Sequence, residues 1–455
     1  MQTIHAARAR LPEGWGQNVR LTVKEGHIAT LETGIDPQSG DHRADILLPA
    51  LGNLHSHSFQ RAMAGMTEVR AAGKDSFWTW RSLMYRFMDA VTPEQYEAIA
   101  ALVFLEMLEA GYAAVGEFHY VHHQPGGTRF DSLTELSERV FAAAAQTGIG
   151  LTHLPVLYSY GGAEKAGLSG GQLRFGNSVD QFAALVTRAR SIAAADLPAD
   201  TQVGISPHSL RATCPEDLTE VLSIQNGMPV HIHIAEQPKE VADIQSWLGA
   251  RPVEWLLQNA PVDAQWCLIH ATHMTSAETQ AMARSGAVAG LCPITEANLG
   301  DGPFNGVEYL ANGGVFGVGS DSNVRISLTE ELRLLEYSQR LRDLQRNVII
   351  PTEGHVGAAL YLGAAAGGAQ ALNRGAGQIA TGALADLVAM DGTDPALCAL
   401  EGEQILDGIC FAAGDTIVSD VWSAGRHQVK AGRHIARDAV IARYRTAIKG
   451  LIDTL

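Results

Sequence analysis

From about residue 47 to about 345 the chain alternates short apolar runs with longer segments whose apolar residues recur every three or four positions. The runs are LLPALGNLH (47–55), YAAVGEFHY (112–120), GIGLTHLPVLY (148–158), TQVGISPH (201–208), MPVHIHIAE (228–236), QWCLIHATH (265–273), GAVAGLCP (286–293) and GVFGVGSDS (314–322). Each has the length of a buried strand. The stretches between them, such as EQYEAIAALVFLEMLEAG and SVDQFAALVTRARSIAAA, have helical spacing. Eight strands separated by helices predict an α/β fold with a parallel array, a (β/α)8 TIM-like barrel of ~250 residues. Residues 1–45 read instead as short strands with Gly and Asn turns, and 354–374 as one Ala/Gly-rich helix. GALADLVAMDG (382–392) and TIVSDVWSAGRHQVKAGRHI (416–435) return to strands and turns. We therefore expect a barrel over 47–375 and a small β-sandwich domain assembled from both chain ends. Residues 1–46 and 376–455 would supply that domain, the latter with a terminal helix. The glycine-rich segment 161–176 after strand 3 reads as a mobile loop.

Composition narrows the function classes. Hydrophobic content of 46% and charged content of 18% describe a globular chain with ample core. A formal net charge of −16 argues against binding nucleic acid or an anionic membrane surface. The five cysteines are scattered without C-x-x-C, which fits reduced thiols and not a disulfide framework. MQTIHAARARLPEGW has no apolar signal region, and no run reaches the ~18 residues needed to span a bilayer. The expectation so far is a cytoplasmic globular enzyme or binding protein.

The chemistry gathers at strand ends. His55 and His57 close strand 1 one residue apart, so their side chains share a face. Strand 5 carries His231 and His233 in the same spacing, followed by Glu236. Strand 6 ends at His270 with His273 beyond, strand 8 places Asp321 at its lip, and strand 4 ends with His208 and Arg211 nearby. Taken singly, a strand histidine is a core residue and an aspartate after a strand is a helix cap. Together they stand at the carboxyl end of one barrel, where barrel catalysis is built. Three histidines and one aspartate make a plausible set of zinc ligands.

These residues resemble the amidohydrolase superfamily, in its branch of mononuclear zinc deaminases. Strand 4 has no lysine of the kind that bridges two metals in other branches, only His208, which implies one Zn2+ per subunit. A narrower resemblance runs over about 46–345. NLHSHSFQRAMAGMTE, DSFWTWRSLMYRF, GEFHYVHH, PHSLRA, HIHIAEQPKEV, HATHMT, GLCPITEANLGDG and GSDSNVRISLTEELRLLEYSQRLR resemble the N-formimino-L-glutamate deiminases of histidine breakdown. Ser58 and Asn323 depart from that pattern, standing where Ala and His are expected.

The resemblance implies His55, His57, His233 and Asp321 as zinc ligands. His233 is preferred to His231 because it lies nearer the strand end, which leaves His231 as an interior residue. Zinc there would lower the pKa of water to about 7. Asp321 would accept the proton of the attacking water, His270 would orient it, and Glu236 would shuttle a proton to the departing nitrogen. The implied substrate is small and dianionic, which calls for guanidinium–carboxylate pairing. The resemblance points to Arg81 and Arg211, with Gln60, Tyr120 and His208 beside them, whereas Arg61 and Arg86 read as structural. His119, His122 and His123 read as strand-end and loop residues, and a homodimer is the expected assembly. The competing expectations are a guanine or adenosine-derivative deaminase and a noncatalytic binding barrel.

Overall fold

The apolar runs fold as eight short strands that follow one another around a closed ring in a computed structural model, which describes residues 1–69, 77–350 and 352–454. The opening of the DSFWTWRSLMYRF segment thus lies outside the described residues. The ring strands are β1 (Leu51–Ser56), β2 (Tyr112–His119), β3 (Gly150–Leu157), β4 (Gln202–Val203 resuming at Ser206–Pro207), β5 (Val230–Ile234), β6 (Trp266–His270), β7 (Val288–Leu291) and β8 (Val315–Val318). All neighbours pair in parallel. Single bridges, Ile205 to Val230 and Ser209 to His233 on one side and Ser56 to Asp321 on the other, join the two arcs of the sheet. This is the expected (β/α)8 barrel.

Helix boundaries follow local chemistry. Helix Pro93–Glu109 starts with Thr92 and Gln95 in a reciprocal capping box and proline in its first turn. Its hydrophobic residues extend around most of its circumference because the C-terminal helix Arg437–Ile452 packs on its outer side.

The barrel floor is closed by helix Val356–Ala371. A Cβ at Gly367 would stand 1.9 Å from the carbonyl oxygen of Phe316 in β8, so only glycine permits this approach. The next residues drop Leu372 into the barrel, where it joins Leu54, Ala114 and Ile269 in an interior apolar cluster. His231 lies in this interior, its Nε2 within hydrogen-bond distance of the Ala371 carbonyl, 2.8 Å away. The floor is mainly apolar, which leaves the opposite end for chemistry.

Both chain ends build one flanking sheet of eight strands. Its order is 433–434, 426–430, 418–423, 387–390, 42–49, 2–11, 14–24 and 27–32. Ile4, Leu21 and Leu47 from the first half share an apolar cluster with Leu387, Ala389 and Trp422 from the second, so the sheet wraps around its own core.

A buried ion network ties this sheet to the barrel. Arg374 donates to Asp386 at 2.9 and 3.0 Å and to Asp200 at 3.1 Å, while Arg426 also donates to Asp200. Removing the shared cation leaves two buried carboxylates short of their partner. Arg374→Ala should therefore lose about 3–5 kcal/mol of stability, read as a lower urea midpoint. A change within 1 kcal/mol would show that the network carries no net stabilisation.

Candidate active site

Each of β1, β5, β6 and β8 delivers a side chain to one point above the interior apolar layer. The backbone of β8 reaches β1 through two hydrogen bonds, His57 N to Asp321 O and Asp321 N to His55 O, both 2.9 Å. Gly319 makes that approach possible, since a Cβ there would lie 2.7 Å from the His55 backbone. The strand ends then turn sharply. Ala235, His270, Ala271, Asp321 and Asn323 all have positive φ, between 45° and 67°. Such backbone costs energy for residues other than glycine and clusters where side chains must be re-aimed. Hydrogen bonds hold it: Ala235 N donates to Glu240 and Ala271 N to the Ile234 carbonyl.

Donor atoms of His55, His57, His233 and Asp321 all lie within 4.8 Å of one another. His55 Nε2 is 3.1 Å from His233 Nε2 and 3.4 Å from Asp321 Oδ1, and His57 Nε2 is 3.3 Å from the same oxygen. His57 Nδ1 donates to the Phe118 carbonyl and His233 Nδ1 to the His208 carbonyl. A carbonyl only accepts, so both protons sit on Nδ1 and both Nε2 lone pairs face the cluster. Burial pushes the His55 imidazole down to about 3, and His57 and His233 downward as well, which keeps them neutral. Burial would raise Asp321, but His55, His57 and His270 hold it well below the usual carboxylate range. Three neutral imidazoles and one carboxylate are the protonation states that a divalent cation requires. The residues fit a metal.

Beside these donors stands a chain of acids and bases. His270 Nε2 is 3.9 Å from Glu236 Oε1 and 3.9 Å from Asp321 Oδ2, while its Nδ1 faces Glu296 at 3.2 Å. Burial lowers His270, yet the carboxylates of Glu236, Glu296 and Asp321 overcome it and push it up to about 10. Burial raises Glu236 to about 7 against the pull of His270 and Arg211. Glu240 accepts from the backbone N–H of Ala235 and Glu236, and it lies 3.8 Å from Arg211 Nε. That carboxylate fixes the turn carrying Glu236.

One pocket brings together ten of the eleven residues singled out in the sequence: His57, Gln60, Arg81, Tyr120, His208, Arg211, His233, Glu236, His270 and Asp321. The eleventh, His55, is fully buried beneath. Gln60 Nε2 donates to the Tyr120 hydroxyl at 2.8 Å, leaving Gln60 Oε1 buried without a partner among the described residues. Arg81 donates to the Tyr158 hydroxyl at 2.9 Å and lies over the Tyr85 ring. Arg61 instead pairs with Glu106 at 2.8 and 3.0 Å, and Arg86 is exposed. The segment 161–176, read as a mobile loop, is pinned near its end by buried Arg174, which donates to the His123 and Val91 carbonyls. Its Phe175 lines the pocket. His122 and His123 face the carbonyls of Val156 and Gly176, and His119 faces the Tyr96 hydroxyl.

Sequence reasoning missed Glu240, Glu296 and Tyr158. The first two stand in the first turns of helices Pro238–Leu248 and Pro293–Leu299, where an acid reads as a helix-end charge. Their burial alone distinguishes them. The two departures from the family pattern also have partners. Asn323 donates to Ser56 Oγ and to the carbonyls of His57 and Asp321, bracing the β1–β8 junction. Ser58 donates to Glu117 from both its N–H and its hydroxyl, at 2.8 and 2.7 Å.

Burial nevertheless raises Glu117 to about 7. Below the unfolded value near 4.5 the carboxyl is neutral in both states and imposes no penalty. As pH rises toward 7 only the unfolded chain ionises, and stability falls by about 3 kcal/mol. Glu117→Gln keeps an acceptor for Ser58 and should flatten that decline in thermal melts taken between pH 5 and 8. An unchanged slope would assign the decline to other groups.

Residues 46–427 match the amidohydrolase family, and residues 1–45 match the model described as formimidoylglutamate deiminase HutF, N-terminal domain. A formimidoylglutamate deiminase of Pseudomonas aeruginosa is 48% identical over 456 residues, covering 100% of each chain. The crystal structure of an amidohydrolase from Brucella melitensis has a TM-score of 0.95 at 47% identity, over 99% of this chain and 100% of that one. An adenosine deaminase from Xanthomonas campestris with bound zinc shares the fold, with a TM-score of 0.81 at 22% identity over 99% and 98% of the two chains. Among the described residues no helix is long and apolar enough to cross a membrane.

Proposed function

Because the chain belongs to the amidohydrolase family and, within it, to the formimidoylglutamate deiminases, we propose that it hydrolyses N-formimino-L-glutamate to N-formyl-L-glutamate and ammonia, a step of histidine breakdown. The observation that carries this reading is the meeting of a metal-donor set with Arg81 and Arg211 in one pocket. Purine deamination needs groups that read a ring edge. Two guanidinium groups in a strongly acidic protein suit a substrate with two carboxylates.

A divalent cation held by His55, His57, His233 and Asp321, zinc in this reading and one per subunit, supplies the Lewis acidity that makes water nucleophilic near neutral pH. Arg81 and Arg211 bind the substrate carboxylates, with Gln60, Tyr120 and His208 orienting the chain that carries the formimino group. Asp321 takes a proton from the attacking water as its oxygen bonds to the formimino carbon. His270, aimed by Glu296, holds that water in line. Glu236 protonates the imino nitrogen as the water adds and takes up the proton of the new hydroxyl as the carbonyl forms; the proton held on Asp321 passes to the same nitrogen, the carbon–nitrogen bond breaks, and ammonia leaves carrying both protons of the water. Glu240 keeps Glu236 and Arg211 in register. A homodimer in the cytoplasm completes the reading.

The test is ammonia release from N-formimino-L-glutamate measured against guanine and adenosine derivatives. Turnover of formiminoglutamate alone is expected, and activity confined to purines overturns the proposal. In the same assay Arg211→Ala should lower kcat/KM for the dianionic substrate about 10- to 100-fold. A neutral formamidine should be barely affected. Equal losses on both would remove Arg211 from carboxylate recognition.

A further inference from the structure

Away from the barrel mouth, the flanking sheet holds a second group of metal-capable side chains. His42 opens strand His42–Pro49, Asp420 lies on Val418–Ser423 and His427 on Arg426–Lys430. The last two strands form a hairpin turned by Ala424 and Gly425, both with positive φ, as a tight two-residue turn requires. Its register sets His427 opposite Trp422, and Asp420 shares the Trp422 face because it lies two residues away. Trp422 is fully buried in the sheet's own core. His427 stacks on its indole, ring centroids 4.4 Å apart at 17°. His42 arrives from the other half of the sheet, edge-on to Trp422 at 5.1 Å and to His427 at 4.7 Å.

These rings aim three donor atoms at one point. His427 Nε2 is 2.8 Å and His42 Nε2 3.2 Å from the same oxygen, Asp420 Oδ1, and the three atoms lie within 4.8 Å of one another. Donors bound to zinc at 2.0–2.1 Å stand about 3.3 Å apart along a tetrahedral edge. The catalytic donors show the same separations, 3.1 to 3.4 Å. Protons alone account for only half of this arrangement. His427 makes a hydrogen bond to Asp420, but His42 Nε2 is enclosed and, among the described residues, makes none, although the carboxylate is 3.2 Å away. A cation between the two imidazoles satisfies both. His42, whose side chain is 37% exposed against 10% and 14% for Asp420 and His427, is the most accessible of the three.

We propose that His42, Asp420 and His427 form a second divalent transition-metal site of the zinc class, which staples the N-terminal strand to the C-terminal hairpin. Its ligands come from opposite ends of the chain, so the ion closes a very long loop and acts as a clip on the flanking domain. Two imidazoles and one carboxylate select zinc-like ions over magnesium or calcium.

The proposal is independent of the substrate, and its test uses the full-length protein with Zn2+ alone as the probe. After chelator dialysis, titration should load two equivalents per chain. His427→Ala should load one, with kcat unchanged at saturating Zn2+, and Asp321→Asn should retain the flanking equivalent. Zn2+ should raise the Tm of the unsubstituted protein at least about 3 °C further than that of His427→Ala. If His427→Ala fails to fold, His42→Gln, at the most exposed ligand, makes the same measurement. With Co2+ in place of Zn2+, each flanking variant should lose part of the visible d–d absorption. A single equivalent in the unsubstituted protein overturns the proposal. So do two equivalents that persist in both His42→Gln and His427→Ala.

Discussion

Asp321→Asn should cost the protein both its metal and its turnover while leaving it folded. Asp321 contributes the only negative charge among four clustered donors, and its ionised form is what His55, His57 and His270 stabilise. An amide has the same shape but no charge, and its NH2 group can only compete for the imidazole lone pairs. The backbone should tolerate the change, because asparagine accepts the positive φ found at this position. The two hydrogen bonds joining β1 to β8 use main-chain atoms and survive. We expect metal affinity at the barrel mouth to fall at least about 100-fold, beyond the range seen when only a supporting partner of a ligand is lost. Turnover should fall about 10³-fold with Zn2+ in excess. Metal analysis and kcat, measured on protein with an unchanged circular dichroism spectrum, decide the matter. Full zinc occupancy at the barrel mouth would show that the three histidines suffice.

Glu236→Gln should separate the two losses. Glu236 is not among the clustered donors, so metal content should match that of the unsubstituted protein. Its carboxyl lies between His270 at 3.9 Å and Arg211 at 4.0 Å, and burial puts its proton affinity near neutrality. A group poised there can both accept and release a proton in one turnover, which glutamine cannot do. The expected fall in kcat is about 10²–10⁴-fold, with KM changed little because Arg81 and Arg211 remain in place. Near-normal turnover would move the proton-transfer role to another group, and His270 would be the first to test.

Much of this architecture was legible because barrel strands advertise themselves. Each is a short apolar run, and those of strands 1, 4, 5, 6 and 8 break the pattern at their ends with a His, Glu or Asp. The i, i+2 spacing of His55 and His57 told which face they share, and the place of His233 at the end of its run separated it from His231. What stayed hidden depends on burial and on contacts between distant segments. Glu240 and Glu296 sit in first turns where acids are common, and nothing local says that one grips the Glu236 turn while the other grips His270. Strand 4 read as continuous over 201–208, yet it breaks at Gly204–Ile205. There the Pro229 carbonyl comes within 2.7 Å of where a Cβ on Gly204 would stand. The floor helix was visible as a helix, but its role rests on the Gly367–Phe316 approach, which no spacing rule reveals.

The flanking sheet, drawn from both ends of the chain, also sets a timetable for synthesis. Strand 42–49 is finished early, but its partner, Leu387–Met390, follows more than three hundred residues later. At 5–20 residues per second the wait is roughly 20 to 70 s. For that interval strand 42–49 is an open edge with unpaired backbone groups, the kind of surface that recruits other chains. The entire barrel emerges from the ribosome before this edge can close, so a strand made early keeps one open side until late in synthesis. A nascent chain halted before residue 387 therefore exposes a sticky strand, and chaperone demand should peak in that window and fall once the C-terminal hairpin is released.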